Sequence, residues 1–140
     1  MKARTQLELV AIILVLCGFS ACQRKAEMCA RCHMALKAGD VHRSEITYAN
    51  GSTAQFDSAI CAITTWQQPP PGLTPKSLAV HEYYSGSARD GAAVTFVKGT
   101  DVPSTMGDDL VAVDPANLKK FQADHGGTAL TLTEIEEPSR

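Results

Sequence analysis

The alternation of apolar and polar positions divides residues 43–136 into two stretches that repeat one order of elements. In the first, Arg43 to Tyr48 has a strand pattern, Asn50-Gly51 is the dipeptide favoured by two-residue hairpin turns, and Ser52 to Phe56 resumes the extended run. Asp57 or Ser58 can cap a helix from Ala59 to about Trp66, which Pro69-Pro70-Pro71 stops. After a linker through Pro75, Leu78 to Tyr84 alternates as a strand. In the second stretch, Ala92 to Val97 is a strand, Gly99 to Asp108 a loop, and Leu110 to Val113 a second strand. Asp114-Pro115 offers an N-cap with proline at the first helical position, and Ala116 to Asp124 carries Leu118 and Phe121 on one face. His125-Gly126-Gly127 closes that helix, and Ala129 to Ile135 alternates as a last strand.

These patterns predict an α+β fold of two similar strand-strand-helix-strand units, spanning 43–86 and 91–136. Neither unit is long enough to bury sufficient apolar surface alone, so the two are expected to share one core. Residue identities between the halves are sparse, and the repeat lies in the pattern only.

Residues 1–21 have another character. Met1-Lys2-Ala3-Arg4 precedes an apolar run from Leu9 to Phe19 that ends on small residues, as a secretory signal does. The run is too short to be read as the protein's own membrane span. Ser20-Ala21-Cys22 resembles a bacterial lipobox, in which Cys22 is lipidated and becomes the first mature residue. Such an anchor implies a periplasmic location, and Gln23, not Asp, directs a lipoprotein of that kind to the outer membrane rather than the inner. Residues 22–42 then form a flexible arm ahead of the first unit.

Cleavage before Cys22 leaves 119 residues, with 11 basic and 14 acidic side chains and a net charge of −3. A mildly acidic chain without a basic run gives no reason to expect nucleic acid as a partner. Paired carboxylates, a nucleophile with its base, and a Gly-rich phosphate loop are all missing from the sequence, so an enzyme is not expected. Cys17 leaves with the signal and Cys22 takes lipid, so Cys29, Cys32 and Cys61 remain. An odd number of thiols in an oxidising compartment favours a metal or haem site over a purely structural disulfide framework.

Residues 28–34 read Met-Cys-Ala-Arg-Cys-His-Met and spell two metal centres at once. Cys29-Ala30-Arg31-Cys32-His33 has the C-x-x-C-H spacing that attaches a c-type haem, with the histidine as axial ligand. Cys32 and Met34 instead pair a thiolate with a thioether, soft donors that select Cu(I). A small cytochrome wraps its haem in helices, whereas this chain predicts two short helices against about six strands. Cys29 and Cys32 could also form a redox dithiol, but they precede the first strand and do not open a helix, where a thiolate is stabilised. Cys61, within the predicted first helix, reads as a small buried hydrophobe, and Asp57 as a cap. His125 reads as a capping residue at a helix end, and Trp66, Tyr83 and Tyr84 as core or interface aromatics.

Phe96-Val97-Lys98-Gly99-Thr100-Asp101-Val102-Pro103-Ser104-Thr105-Met106-Gly107, followed by a strand and then by Phe121-Gln122-Ala123-Asp124-His125-Gly126-Gly127, resembles the second half of the NosL-type copper lipoproteins that accompany nitrous-oxide reductase. A cysteine motif ending in methionine, a hairpin, and Phe56-Asp57 opening a helix match the first half. The resemblance implies the duplicated fold and a role in holding Cu(I) for delivery to a copper enzyme, nitrous-oxide reductase or its maturation complex. It also implies Cys32, Met34 and Met106 as copper ligands; Cys29, which could instead pair with Cys32 or stand idle, and His33 are further candidates by their own donor chemistry. His33 stands where the family motif has glycine, which is what creates the haem-like spelling.

Overall fold

The computed structural model describes residues 27–40, 42–104, 107 and 110–135. The signal segment, Cys22 and Met106 therefore lie outside the described residues.

β1 (Ser44–Tyr48) and β2 (Thr53–Phe56) form an antiparallel hairpin in which Thr47 pairs with Thr53. Gly51 takes φ +85° at its turn, a left-handed conformation that costs glycine little, and Asn50 Oδ1 accepts the Ser52 N–H. α1 (Ala59–Gln67) follows, and β3 (Pro75–His81) returns to pair with the other side of β1. β4 (Ala88–Asp90) adds itself to β3, giving a first sheet in the order β2-β1-β3-β4. β5 (Thr95–Lys98), β6 (Leu110–Val113) and β7 (Thr128–Leu130) form a second sheet in the order β6-β5-β7. A 3-10 turn (Pro115–Asn117) and α2 (Leu118–His125) connect β6 to β7. Each unit thus places its first strand between the other two, and the predicted strand-strand-helix-strand repeat is present.

The boundaries differ from the sequence pattern for physical reasons. The strand read at 78–84 runs at 75–81. Glu82 is turned inward, where it accepts the Ser85 N–H, and the chain bends at Tyr83-Tyr84. The strand read at 129–135 stops at Leu130, because Glu134 bonds back to the Thr131 N–H and hydroxyl. β4 has three exposed residues and no apolar alternation, so nothing in its composition announced it.

One core serves both halves. Ile46, Tyr48, Phe56, Leu78 and Val80 of the first sheet pack with Ala59, Ala62 and Ile63 of α1. Phe96, Leu110, Ala112 and Ile135 of the second unit join the same cluster. α1 is accordingly buried over most of its surface, held between the two sheets. The alternate residues Val97, Val111 and Val113 face a smaller core closed by Phe121 of α2. β6 is buried at all four positions because both its faces are covered. A polar seam joins the units, since Tyr83 N–H bonds the Ala112 carbonyl and Glu82, 1% exposed, also accepts the Asp114 N–H. Among the described residues no helix is long and apolar enough to cross a membrane.

Candidate metal centre

The described part of the N-terminal arm is docked onto the first sheet. Met28 and Ala35 form an isolated bridge, Leu36 N–H bonds the Glu27 carbonyl at 2.8 Å, and Glu27 pairs with Arg43. Ala30 N–H bonds the Gln55 carbonyl of β2 at 2.9 Å. Cys29 brackets the turn at both ends, its N–H bonding the Met34 carbonyl at 2.8 Å while its carbonyl accepts the His33 N–H at 3.1 Å. Closing so tight a turn requires φ +60° at His33, the one described non-glycine residue in that region. A left-handed conformation there suits glycine, which explains the residue type expected at this place in the motif.

The turn drives Cys29 wholly inside and leaves Cys32 half-buried. From the other direction, α1 begins at the same spot. Ser58 is its N-cap, with extended backbone and Oγ accepting the Cys61 N–H at 3.1 Å. That fixes Cys61 in the first helical turn, 4% exposed, and frees Asp57 from capping. The cap reading of Asp57 is corrected accordingly, because its carboxylate, 5% exposed, instead accepts the Cys32 S–H with both oxygens at 3.3 Å.

Ligand atoms of Cys29, Cys32, Asp57 and Cys61 all lie within 4.8 Å of one another. No three points so spaced lie farther than about 2.8 Å from a common centre, against roughly 2.3 Å for a zinc–thiolate bond. The three thiols are free, not bridged. Burial pushes the Cys61 thiol up to about 12, with Ser58 working against the shift and Cys29, Cys32 and Asp57 adding to it. Burial also raises Cys32; the Met34 backbone N–H on its sulfur opposes that, and Cys29 and Asp57 reinforce it. Cys32 and Cys61 therefore hold their protons, and a cation bound by their sulfurs must displace them.

Of the residues singled out in the sequence, Cys29 and Cys32 are brought together here. Met34 is 41% exposed on the adjoining turn, and Met28 beside it is 50% exposed. His33 is exposed and stays outside the cluster. The loop leading to Met106 is described as far as Ser104. Its root is tied at Asp101, which accepts His125 Nδ1–H at 2.8 Å, and at the Pro103 carbonyl, which accepts His42 Nε2–H at 3.1 Å. His125 is thus a loop clasp, with Tyr83 OH 3.2 Å from its Nε2. Cys61 and Asp57 are the members of this cluster that the sequence alone presents as a buried hydrophobe and a cap. The available signals were an odd third thiol and its position three residues past a helix cap.

Fold and site together define a duplicated α+β protein with a sulfur-rich centre able to hold a metal ion. The NosL family model matches residues 22–139, and the chain belongs to that family. Among solved structures, it is similar to the copper chaperone NosL from Shewanella denitrificans, at 16% identity and a TM-score of 0.63, covering 82% of this chain and 96% of that one. No curated protein matches the chain by sequence.

Proposed function

We propose that the protein is a Cu(I) carrier that hands its ion to a copper enzyme, and that the client is nitrous-oxide reductase or its maturation complex. In this reading residues 1–21 direct export, and lipidated Cys22 anchors the chain to the outer membrane, facing the periplasm. Two lipid chains or more give lasting attachment where one does not. Cys32 is the anchoring thiolate, and Met34 and Met106 are the thioether ligands. His33, exposed in the turn beside Met34, is a further candidate donor.

The observation that carries the reading is the setting of Cys32. Its sulfur is half-buried, donates its S–H to a carboxylate at 3.3 Å, and adjoins a methionine left in solvent. One thiolate supplies affinity for a soft ion, and thioethers on a loop and a turn keep it exchangeable. The Shewanella protein's description as a copper chaperone supports the same role.

The test is a competition titration of the reduced protein against a chromophoric Cu(I) chelator, with an absorption spectrum beside it. One Cu(I) per chain, colourless protein, and weaker binding by Met106→Leu are expected. A covalent haem band that survives denaturation overturns the reading, and unchanged affinity removes Met106 from the site. Cys22→Ser should leave the membrane fraction; if it remains there, the anchor is elsewhere.

A further inference from the structure

The proposed carrier site uses one of three clustered thiols. Cys29 and Cys61 have no task in it, yet each offers a sulfur within 4.8 Å of Cys32's. We infer that Cys29, Cys32 and Cys61 form an interior seat for Cu(I), distinct from the thioether set and sharing Cys32 with it. The inference rests on the reading that Cys32 holds Cu(I).

The seat is already built by the backbone. Cys29 is fixed by both its backbone hydrogen bonds across the turn, and Cys61 by the Ser58 cap, so only side-chain adjustment of a few tenths of an ångström brings three sulfurs to bonding distance. Free buried cysteines packed as small hydrophobes need no common focus, and an apolar cluster gains nothing from a carboxylate placed against it. Here the sulfurs converge and Asp57 faces Cys32 at 3.3 Å. Cys61 sits in the first turn of α1, whose positive end offsets part of the cost of burying a thiolate. The Met34 backbone N–H, bonded to the Cys32 sulfur, does the same from the other side. Loading exchanges three S–H bonds for three Cu–S bonds with no change of oxidation state. All three protons leave to solvent. An all-thiolate set is the softest that this chain offers, so it suits a monovalent soft ion.

Sharing Cys32 makes the two seats alternatives, with one ion per chain. Exchange of Cys29 and Cys61 for Met34 and Met106 around a fixed Cys32 carries the ion from an enclosed position to an exposed one.

Selenomethionine-labelled reduced protein, loaded with one Cu(I), tests this by copper-edge X-ray absorption, because only the thioether set places selenium beside copper. The shell of the unsubstituted chain should be sulfur, and Cys61→Ser should bring selenium into it and weaken Cu(I) binding at least about tenfold, as loss of a direct ligand does. Selenium already present and unaltered by Cys61→Ser, with affinity unchanged, overturns the interior seat. If that variant fails to fold by circular dichroism, the shell of the unsubstituted chain decides alone: sulfur supports the seat and selenium overturns it. Cys32→Ser separates the two claims. Affinity lost there but kept in Cys61→Ser leaves the carrier reading standing without the inner seat, and affinity kept in both removes the carrier site as well.

Discussion

Ser58→Ala removes the hydroxyl that starts α1 and places Cys61. Ser58 is fully buried and its Oγ accepts the Cys61 N–H at 3.1 Å, so no water replaces it. Losing an N-cap costs about 1 kcal/mol, and stranding a buried donor adds to that, for a total of about 2 kcal/mol. A domain of roughly 100 residues loses on the order of 8 °C in Tm for that change. Thermal and urea unfolding followed by circular dichroism of the metal-free reduced protein measure it. The same variant should bind Cu(I) more weakly, since the first helical turn frays where Cys61 is held. A stability loss below about 0.5 kcal/mol would refute the cap assignment and, with it, the account of how α1 is aimed at the cluster.

Three further perturbations probe other parts of the molecule. Asp57→Asn keeps the Ser58 cap but removes a carboxylate that helps hold the Cys32 proton, so the Cys32 thiol should titrate lower and be alkylated faster near neutral pH; an unchanged alkylation rate would make the carboxylate irrelevant to Cys32. Gly127→Ala would place a Cβ 2.7 Å from Val97 Cγ1 and 2.8 Å from the Lys98 carbonyl oxygen at φ +94°, and should cost about 2 kcal/mol or more by urea unfolding. Burial raises the Glu82 carboxyl, but N–H donors from Ser85, Asp114 and Tyr84 outweigh it and hold the group below 4.5. Its stabilisation is therefore complete above the unfolded value and lost as pH falls through the folded one, so Glu82→Gln should cost stability at pH 7 and flatten the decline in urea midpoint below about pH 4.5.

Local chemistry made the repeat legible. Asn50-Gly51 turns the first hairpin, Ser58 caps α1, and Leu110–Val113 forms the predicted strand at its predicted bounds. Asp114 accepts the Ala116 N–H ahead of Pro115, as its spacing implied. What stayed hidden depends on contacts distant in sequence. Glu82 looks like one more polar strand position until Asp114, 32 residues on, supplies its N–H. Cys61 lies 29 residues from Cys32 with no ligand spacing between them, and only the packing of α1 under the turn brings their sulfurs together. His125 carried a helix-end signal that was correct for its position and silent about Asp101. The His33 anomaly, by contrast, was visible as a residue out of pattern, and its positive φ gives that anomaly a cause.

β2 forms one border of the first sheet, and the Ala30 N–H bonded to the Gln55 carbonyl lies along it. Borders of that kind invite pairing by any extended peptide. The segment carrying Cys29 and Cys32 is therefore also a cover strip, and lifting it would bare a hydrogen-bonding rim in the same movement.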